Sequence, residues 1–392
     1  MNFLKKLFNV LIIVIAAVLI VICLDLVLNR TVKTNYTDIS SVDRTALSQI
    51  SDVIVLFDEK YGDENVWSES YNLTEGCYVI TRTLGLLKGT TYVINADMSD
   101  SIFAQRIEMP SKYGNLPVYR MAMCTPQMLF LFGSSGDNCV ISVGDDEMYS
   151  IKYNSGSVSY SGMDSLETKF VTGSFDMLVN TEDTPTADNS VVYDTSSVDN
   201  VALTGLQYRI IDELLNCANR DEMNELIAEY VIVREEQLGG NRQLAHSQEC
   251  IELTDGCRQH VLYNVSAELG ENFTYFNKYK PDDIKFYSAF YYICTGQYQS
   301  DTNEYFNKLG NAYVGAALCE VLDKFNIIPD WREQLDGSTN EDFISQYSMI
   351  KEYYNENCAE YKDKSLEVIK KAYNYTEIES MASALAGNTS VM

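Results

Sequence analysis

The sequence predicts an α+β protein with a membrane-spanning helix at its N-terminus. Three patterns along the 392 residues carry this prediction. Residues 7–24 form an uncharged apolar run, residues 77–160 contain short β-type segments between turns, and residues from 166 onward show helical periodicity. The predicted domains are a transmembrane signal anchor at 1–28, a tether at 29–40, an N-terminal helix plus antiparallel sheet region at 41–162, and a helical region at 163–392.

The apolar run has the length and flanks of a retained anchor. Its eighteen residues span about 27 Å as a helix, which is close to the hydrocarbon thickness of a bilayer. Lys5 and Lys6 precede it, so the N-terminus should stay cytoplasmic and the bulk of the chain should be extracytoplasmic. A cleaved signal peptide would need small residues where this run is bulky, and a lipoprotein site would need a small residue in place of Ile22 before Cys23. The sequence therefore predicts a single-pass protein of the cell membrane.

The net charge of −27, from 29 basic and 56 acidic residues, argues against nucleic acid or anionic lipid as a partner. A solvated acidic surface is the simplest interpretation, and divalent cations or polycationic partners stay open. Ten cysteines occur singly, and Cys23 lies in the apolar run. Cys250 and Cys257 are about 10.5 Å apart along one predicted helix, too far to bridge each other. We expect the cysteines to act as small buried apolar residues.

The sheet region begins after a helix that starts at Ser41 and ends before Gly62. Its segments are rich in β-branched and aromatic residues and are separated by glycine-containing turns. The predicted strands are residues 77–81, 91–94, 118–123, 127–132, 139–143 and 148–153.

The central helix, residues 166–180 (LETKFVTGSFDMLVN), follows the sheet region and has apolar residues at helical spacing. A long polar loop occupies residues 181–200, and such a loop is either functional or mobile. The remaining chain shows three- and four-residue apolar spacing. This spacing predicts helices over residues 201–219, 221–238, 242–264, 284–295, 304–325, 341–361 and 366–385.

Three local patterns resemble bacterial HExxH zinc-peptidase-like proteins of the gluzincin type. The segment VWSESYNL at 66–73 is similar to their opening Trp-and-strand segment. The segment AYVGAAL at 312–318, followed by Pro329-Asp330-Trp331, is similar to their small-residue helix and Trp-bearing turn. Residues 252–261 (ELTDGCRQHV) resemble their third-ligand helix. The resemblance implies that the mostly antiparallel sheet region is followed by a helical, zincin-like C-terminal region.

In that family two histidines one helical turn apart bind zinc, an adjacent glutamate is the general base, and a downstream carboxylate completes the site. On the central helix Thr172 and Gly173 stand in place of the His-Glu pair, and Asp176 stands in place of the second histidine. Asp255 stands at the position of the third ligand. The resemblance therefore implies a degenerate member with these four vestigial site positions, no catalytic residue, no metal ligand and no bound zinc.

The two histidines of the chain, His246 and His260, lie outside any HExxH sequence. His246 with Cys250, and Cys257 with His260, have spacings at which each pair could hold a metal ion. The two pairs are too far apart to share one ion. We favour a helix that packs its cysteines into the core and carries the histidines at its margins.

The leading hypothesis is a membrane-anchored pseudopeptidase that binds a peptide or protein in a vestigial groove between the central helix and the 242–264 helix. A second hypothesis is a hydrolase that uses Asp176 with Asp255 as an acid–base pair, or a hard-cation site at the same two residues. A third is a surface interaction module that uses tyrosine-rich C-terminal helices, with tyrosine runs near 287–292 and 353–354.

Overall fold

The structure is a computed structural model that describes residues 2–31, 35–60, 66–84, 87–125, 138–143, 146–160, 165–180, 183–269, 286–297, 302–324 and 326–389. It divides into two compact units. The first contains Met1–Asn65 and Tyr71–Met177, and the second contains Val66–Ser70 and Leu178–Met392. Helices and one mixed sheet are both present, so the α+β class is confirmed. The central helix groups with the sheet, although the sequence placed it at the start of the helical region.

The first unit begins with the apolar helix. Helix α1 runs from Asn2 to Thr31, and its segment Leu7–Thr31 is long and apolar enough to cross a membrane. It continues past the predicted end at residue 28, and the next described residues form a 3₁₀ turn at Tyr36–Asp38. Helix α2 spans Ser41–Lys60 and buries the apolar face that the sequence predicted, including Leu47 and Ile50.

Within the described residues the strands form a six-stranded sheet. They are β1 Tyr78–Leu84, β2 Leu87–Ile94, β3 Ala104–Arg106, β4 Val118–Met121, β5 Asn138–Val143 and β6 Asp146–Tyr153. Their order is β3-β4-β2-β1-β6-β5, and every neighbouring pair is antiparallel except β1 with β6. The mostly antiparallel sheet is thus confirmed, and β1 with β6 is the parallel pair among its described strands. The predicted strand at 127–132 lies outside the described residues.

Helix α3, Leu166–Leu178, is the central helix of the sequence analysis. Its aromatic side chains pack on the sheet unit: Phe170 contacts Tyr78 edge-to-face at 4.7 Å between ring centroids, and Phe175 contacts Tyr71 at 5.3 Å. The Tyr71 hydroxyl donates a hydrogen bond to the Val171 carbonyl at 3.1 Å. These contacts bury the face that the helical spacing predicted.

Glu167 lies in the first turn of α3 and is only 2% exposed, and neither of its carboxyl oxygens has a hydrogen-bond partner among the described residues. Burial raises the pKa of this carboxyl. Because the folded-state pKa is raised above the unfolded value, folding takes up a proton, and stability must fall as the pH rises through the unfolded pKa toward the folded one.

We therefore expect Glu167→Gln to raise the free energy of unfolding at neutral pH, by about 1.4 kcal/mol for each unit of the pKa shift that it removes. Urea unfolding of the detergent-solubilised chain between pH 4.5 and 8 measures this, and the gain should grow with pH. Glu59→Gln, at an exposed position of α2, is the matched control and should change little. A Glu167→Gln variant less stable than wild type at pH 8 would contradict the expectation.

The second unit is helical. Its helices are α4 Val198–Asn216, α5 Arg220–Leu238, α6 Arg242–Ile251, α7 Cys257–Leu269, α8 Phe286–Cys294, α9 Gly310–Lys324, α10 Trp331–Asp336, α11 Gln346–Asn357, α12 Leu366–Ala372 and α13 Tyr375–Thr389. Side chains cap several starts as the sequence chemistry requires, because Ser197, Asn219, Asn241 and Ser345 each accept a backbone N–H three residues later. Helix α4 packs against α5, α8 and α13, and α9 packs against α6, α7 and α11.

The predicted 242–264 helix is continuous but contains an irregular turn. A π turn at Glu252–Gly256 joins α6 to α7, and a second one at Tyr305–Leu309 precedes α9. The first π turn packs on α9, where a Cβ atom on Gly315 would lie 2.3 Å from the Glu252 carbonyl oxygen. A Cβ atom on Gly256 would lie 2.7 Å from the Gly315 Cα atom. Glycine is therefore required at both positions for the two backbones to approach this closely.

Candidate functional site

The π turn buries Glu252 and leaves Asp255 half-buried. Glu252 is 1% exposed and forms a bidentate ion pair with Arg234 of α5, with N–O distances of 2.7 and 2.9 Å. The guanidinium also lies 4.3 Å from the centre of the Tyr347 ring and donates to the Tyr230 hydroxyl at 2.9 Å. Burial alone would lower the pKa of Arg234, but Glu252 and Tyr230 raise it well above its ordinary value. This pair fixes the inner side of the turn.

Three residues further along, Asp255 lies half-buried on the outer side of the turn. It forms an ion pair with Arg258, one turn later on the same helix. Asp255 is the residue that the resemblance placed at the third-ligand position. Its carboxylate is thus neutralised by a guanidinium within its own helix.

His260 of α7 is completely buried, in contrast to the expectation that the histidines lie at the margins of their helix. Its Nδ1 lies 3.1 Å from Oε1 of Glu320, and its Nε2 lies 3.4 Å from Oδ2 of Asp323. Burial lowers the pKa of His260, but the close carboxylates of Asp323 and Glu320 outweigh burial and raise it to about 10. Its ring also contacts Trp331 edge-to-face at 5.7 Å. The margin prediction was wrong for His260 because two carboxylates of α9 stabilise its charge in the interior.

This arrangement assigns His260 a structural role. Both ring nitrogens face carboxylates, the side-chain amide nitrogen of Asn264 also lies 3.1 Å from Nε2, and the ring is fully buried, so these groups enclose it and leave no open path to a substrate. Asp323 is held in turn by Nε1 of Trp331 at 3.0 Å and by Arg332 at 2.7 Å. This cluster was not predicted from the sequence, although Glu320 and Asp323 have the three-residue spacing that puts two carboxylates on one helical face.

The other histidine lies where the sequence analysis expected it. His246 is exposed, packs edge-to-face on Phe343 at 4.6 Å, and has its Nε2 3.7 Å from the sulfur of Cys250. Cys250 and Cys257 are both buried, so this helix does pack its cysteines into the core as predicted. Among the residues that the structure describes, no three His, Cys, Asp or Glu side chains are grouped to hold a metal ion. The predicted lack of zinc stays a prediction.

The vestigial positions of the central helix have ordinary helical surroundings. The Thr172 hydroxyl donates to the Thr168 carbonyl at 2.8 Å, and Gly173 is buried. Asp176 is half-buried, and its charge adds to burial in raising the pKa of Tyr71. Thr172, Gly173 and Asp176 belong to the first unit, and Asp255 belongs to the second. The groove between the central helix and the 242–264 helix therefore stays a prediction, and so does the Asp176–Asp255 pair.

The second unit contains an open cleft of about 630 Å³ beside the π turn. One wall is the polar loop after the central helix, a second is the outer face of α6 and the π turn, and a third is the helical segment before α9. The lining residues are Asn180, Thr184, Pro185, Thr186, Ala187, Asp188, Asn189, Val191, Val192, Ser247, Ile251, Thr254, Asp255, Asn303, Glu304, Asn307 and Lys308.

The polar loop is fixed in place on this wall. The Tyr193 ring stacks on Phe306 at 5.1 Å, and its backbone N–H donates to the side chain of Asn307 at 2.6 Å. Asp188 accepts from the N–H and the hydroxyl of Ser190, at 2.8 and 2.7 Å, and these hydrogen bonds lower its pKa. The cleft is therefore shaped by contacts within the unit and can receive a ligand without first ordering this wall.

The chemistry of the lining favours binding. Among the lining residues that the structure describes, amides and hydroxyls are the commonest polar groups, three carboxylates (one of them, Asp255, paired with Arg258) stand beside the ammonium group of Lys308, and apolar contacts come from side chains such as Ile251 and Val192. None of the described residues that line the cleft is a histidine or a cysteine. The sequence analysis identified the polar loop and Asp255 separately, and their meeting in one cleft is a tertiary feature.

No protein-family model matches the chain, and no curated protein or solved structure matches it significantly. The gluzincin-type resemblance therefore rests on the sequence patterns alone and stays a prediction.

Proposed function

We propose that the chain is a membrane-anchored, extracytoplasmic binding protein that holds a short peptide in the cleft beside the π turn. The observation that carries the proposal is the cleft itself, a preformed cavity of about 630 Å³ with abundant amide and hydroxyl groups. Its volume lies within the usual range for ligand sites, about 300–1,000 Å³. The described residues that line the cleft offer hydrogen-bond donors and acceptors, and none of them is an activated nucleophile.

A peptide fits this lining for two reasons. Peptide backbones alternate N–H and C=O groups, and side chains such as Asn189, Asn303 and Thr254 offer both donors and acceptors to them. With Asp255 paired to Arg258, the carboxylates of Asp188 and Glu304 still outnumber the ammonium group of Lys308, which favours neutral or basic peptide side chains over acidic ones.

The helix Leu7–Thr31 supports the membrane anchor, because it lies near the N-terminus and is long and apolar enough to cross a membrane. Lys5 and Lys6 supply the orientation, because positive residues stay on the cytoplasmic side. The pseudopeptidase part rests on Thr172, Gly173 and Asp176, which cannot supply the imidazoles and the base of an HExxH site. An anchored protein that binds a peptide without cleaving it is consistent with the apolar helix and with the missing HExxH residues.

Two variants test the cleft. Val192 lines it and is 65% exposed, whereas Val368 of α12 is 54% exposed in the same unit and does not line it. Peptides selected from a random hexapeptide library by the full-length protein in detergent should bind Val192→Arg at least about tenfold more weakly, a loss of about 1.4 kcal/mol. Val368→Arg should bind them as wild type does, and both variants should keep the wild-type melting temperature.

Equal affinity of the selected peptides for the Val192→Arg protein would show that they bind elsewhere. Elemental analysis should find less than one zinc per chain, and incubation with the peptides should leave them intact. One zinc per chain together with chelator-sensitive peptide cleavage would overturn the pseudopeptidase proposal.

A further inference from the structure

The C-terminal part of α1 is packed against the sheet unit along one face. Ile22, Asp25 and Leu26 are half-buried and Asn29 is buried, whereas the intervening residues are exposed. These four positions follow the i, i+3, i+4, i+7 spacing of a single helical stripe. The contact therefore extends back into the apolar run, which ends at Leu24.

Asn29 fixes this end of the helix. Its side-chain amide donates to the carbonyl oxygens of Phe103 and Arg120, at 3.0 and 3.2 Å, and its side-chain oxygen accepts from Nε of Arg120 at 2.8 Å. The Arg120 guanidinium also donates to the Asn29 carbonyl. This polar network is buried and joins the helix to β4, so the residues predicted as a free tether begin with a fixed attachment.

A second attachment lies one turn closer to the membrane. The Asp25 carboxylate accepts from the backbone N–H of Cys124 at 2.8 Å. Residues four positions apart are separated by about 6 Å along a helix, so residues 123–124 lie about one turn nearer the apolar run than the Asn29 network does. The turn after β4 is thus level with the end of the segment that would occupy the hydrocarbon.

Two large apolar side chains project from this part of the unit. Met123 is 56% exposed and Ile102 is 57% exposed. Their segments are neighbours, because the Ala122 N–H donates to the Phe103 carbonyl at 2.8 Å. A soluble surface gains nothing from exposing two such side chains side by side, whereas the interfacial region of a bilayer accommodates them.

We propose that Ile102 and Met123 form a lipid-contacting surface that inserts into the interfacial region of the membrane in which α1 is anchored. The inference rests on the proposed anchor and adds that the sheet unit sits directly on the bilayer. The partner is the apolar part of the lipid interface and not a charged headgroup, so the surface is compatible with the net charge of −27. The fixed attachments at Asp25 and Asn29 hold the surface at the required depth.

Tryptophan fluorescence tests the proposal in the full-length protein. Both native tryptophans, Trp67 and Trp331, are 2% exposed and belong to the second unit, so they give a constant background. Single variants Ile102→Trp and Met123→Trp are reconstituted into phosphatidylcholine vesicles with and without bromine on the acyl chains. Val140→Trp is the control, because Val140 is 48% exposed on β5 at the opposite edge of the sheet from β3.

We expect brominated lipid to quench about half or more of the fluorescence of the introduced tryptophan at positions 102 and 123, and little of it at position 140. The reason is that interfacial side chains sit about 5–10 Å into the headgroup and acyl boundary. Adding Asn29→Ala to Ile102→Trp should reduce the quenching. Unchanged fluorescence at 102 and 123, or equal quenching at all three positions, would overturn the lipid-contacting surface. Loss of the protein from vesicles in alkaline carbonate would instead overturn the anchor, so the two failures are distinguishable.

Discussion

Arg234→Ala should lower the free energy of unfolding by about 3–5 kcal/mol, because it leaves the Glu252 carboxylate buried without its partner. Arg234 is 2% exposed and Glu252 is 1% exposed, so water cannot replace the lost ion pair without opening the core. Urea unfolding of the detergent-solubilised chain at pH 7 measures the loss. Arg242→Ala is the matched control, because Arg242 is exposed at the start of α6, and it should stay within about 0.5 kcal/mol of wild type.

A double variant separates the buried charge from the packing. Arg234→Met with Glu252→Leu removes both charges and keeps most of the apolar volume, so we expect it to be more stable than Arg234→Ala. A double variant that is as unstable as Arg234→Ala would mean that the pair is required for packing and not for charge compensation. The π turn is attached to α5 through this pair, so the same variants should also weaken peptide binding if the turn positions the cleft.

His260→Gln should remove a pH-dependent part of the stability. The folded-state pKa of His260 is raised to about 10 from 6.5, so its contribution is fully present below pH 6.5 and is lost as the pH rises through about 10. A shift of this size corresponds to about 3–5 kcal/mol at low pH. Wild type should therefore lose stability between pH 6.5 and 10 relative to the variant.

Unfolding midpoints in urea at pH 6, 8 and 10 test this expectation for wild type, His260→Gln and His246→Gln. His246 is exposed and is the matched control, so its replacement should leave the free energy of unfolding within about 0.5 kcal/mol of wild type. A constant difference between wild type and His260→Gln over this pH range would contradict a buried imidazolium between Glu320 and Asp323. The profile would then show that His260 contributes by packing against Trp331.

In the sheet, individual strands could be predicted from local sequence patterns, whereas the order of the strands could not. The segments that became β1, β2 and β4 were predicted from β-branched and aromatic residues that alternate near turns. The short strand β3 has three residues and no such signal, so it was missed. The parallel pairing of β1 with β6, in which Tyr78 faces Tyr149, brings together segments about seventy residues apart. Strand order is a non-local property, and no pattern within either strand determines it.

The sequence by itself determined the apolar N-terminal helix, the α+β class and the helical second half, because chain length, hydropathy and helical spacing are properties of neighbouring residues. Tertiary structure alone decided the burial of His260, the meeting of Asp255 with the polar loop in one cleft, and the attachment of α1 at Asn29. Each of these depends on partners far away in the chain. The π turn shows the physical reason most directly. Gly256 and Gly315 are almost sixty residues apart in the sequence, and together they let the turn and α9 pack backbone against backbone. That contact decides which side chains of Glu252–Gly256 are buried and which face the cleft.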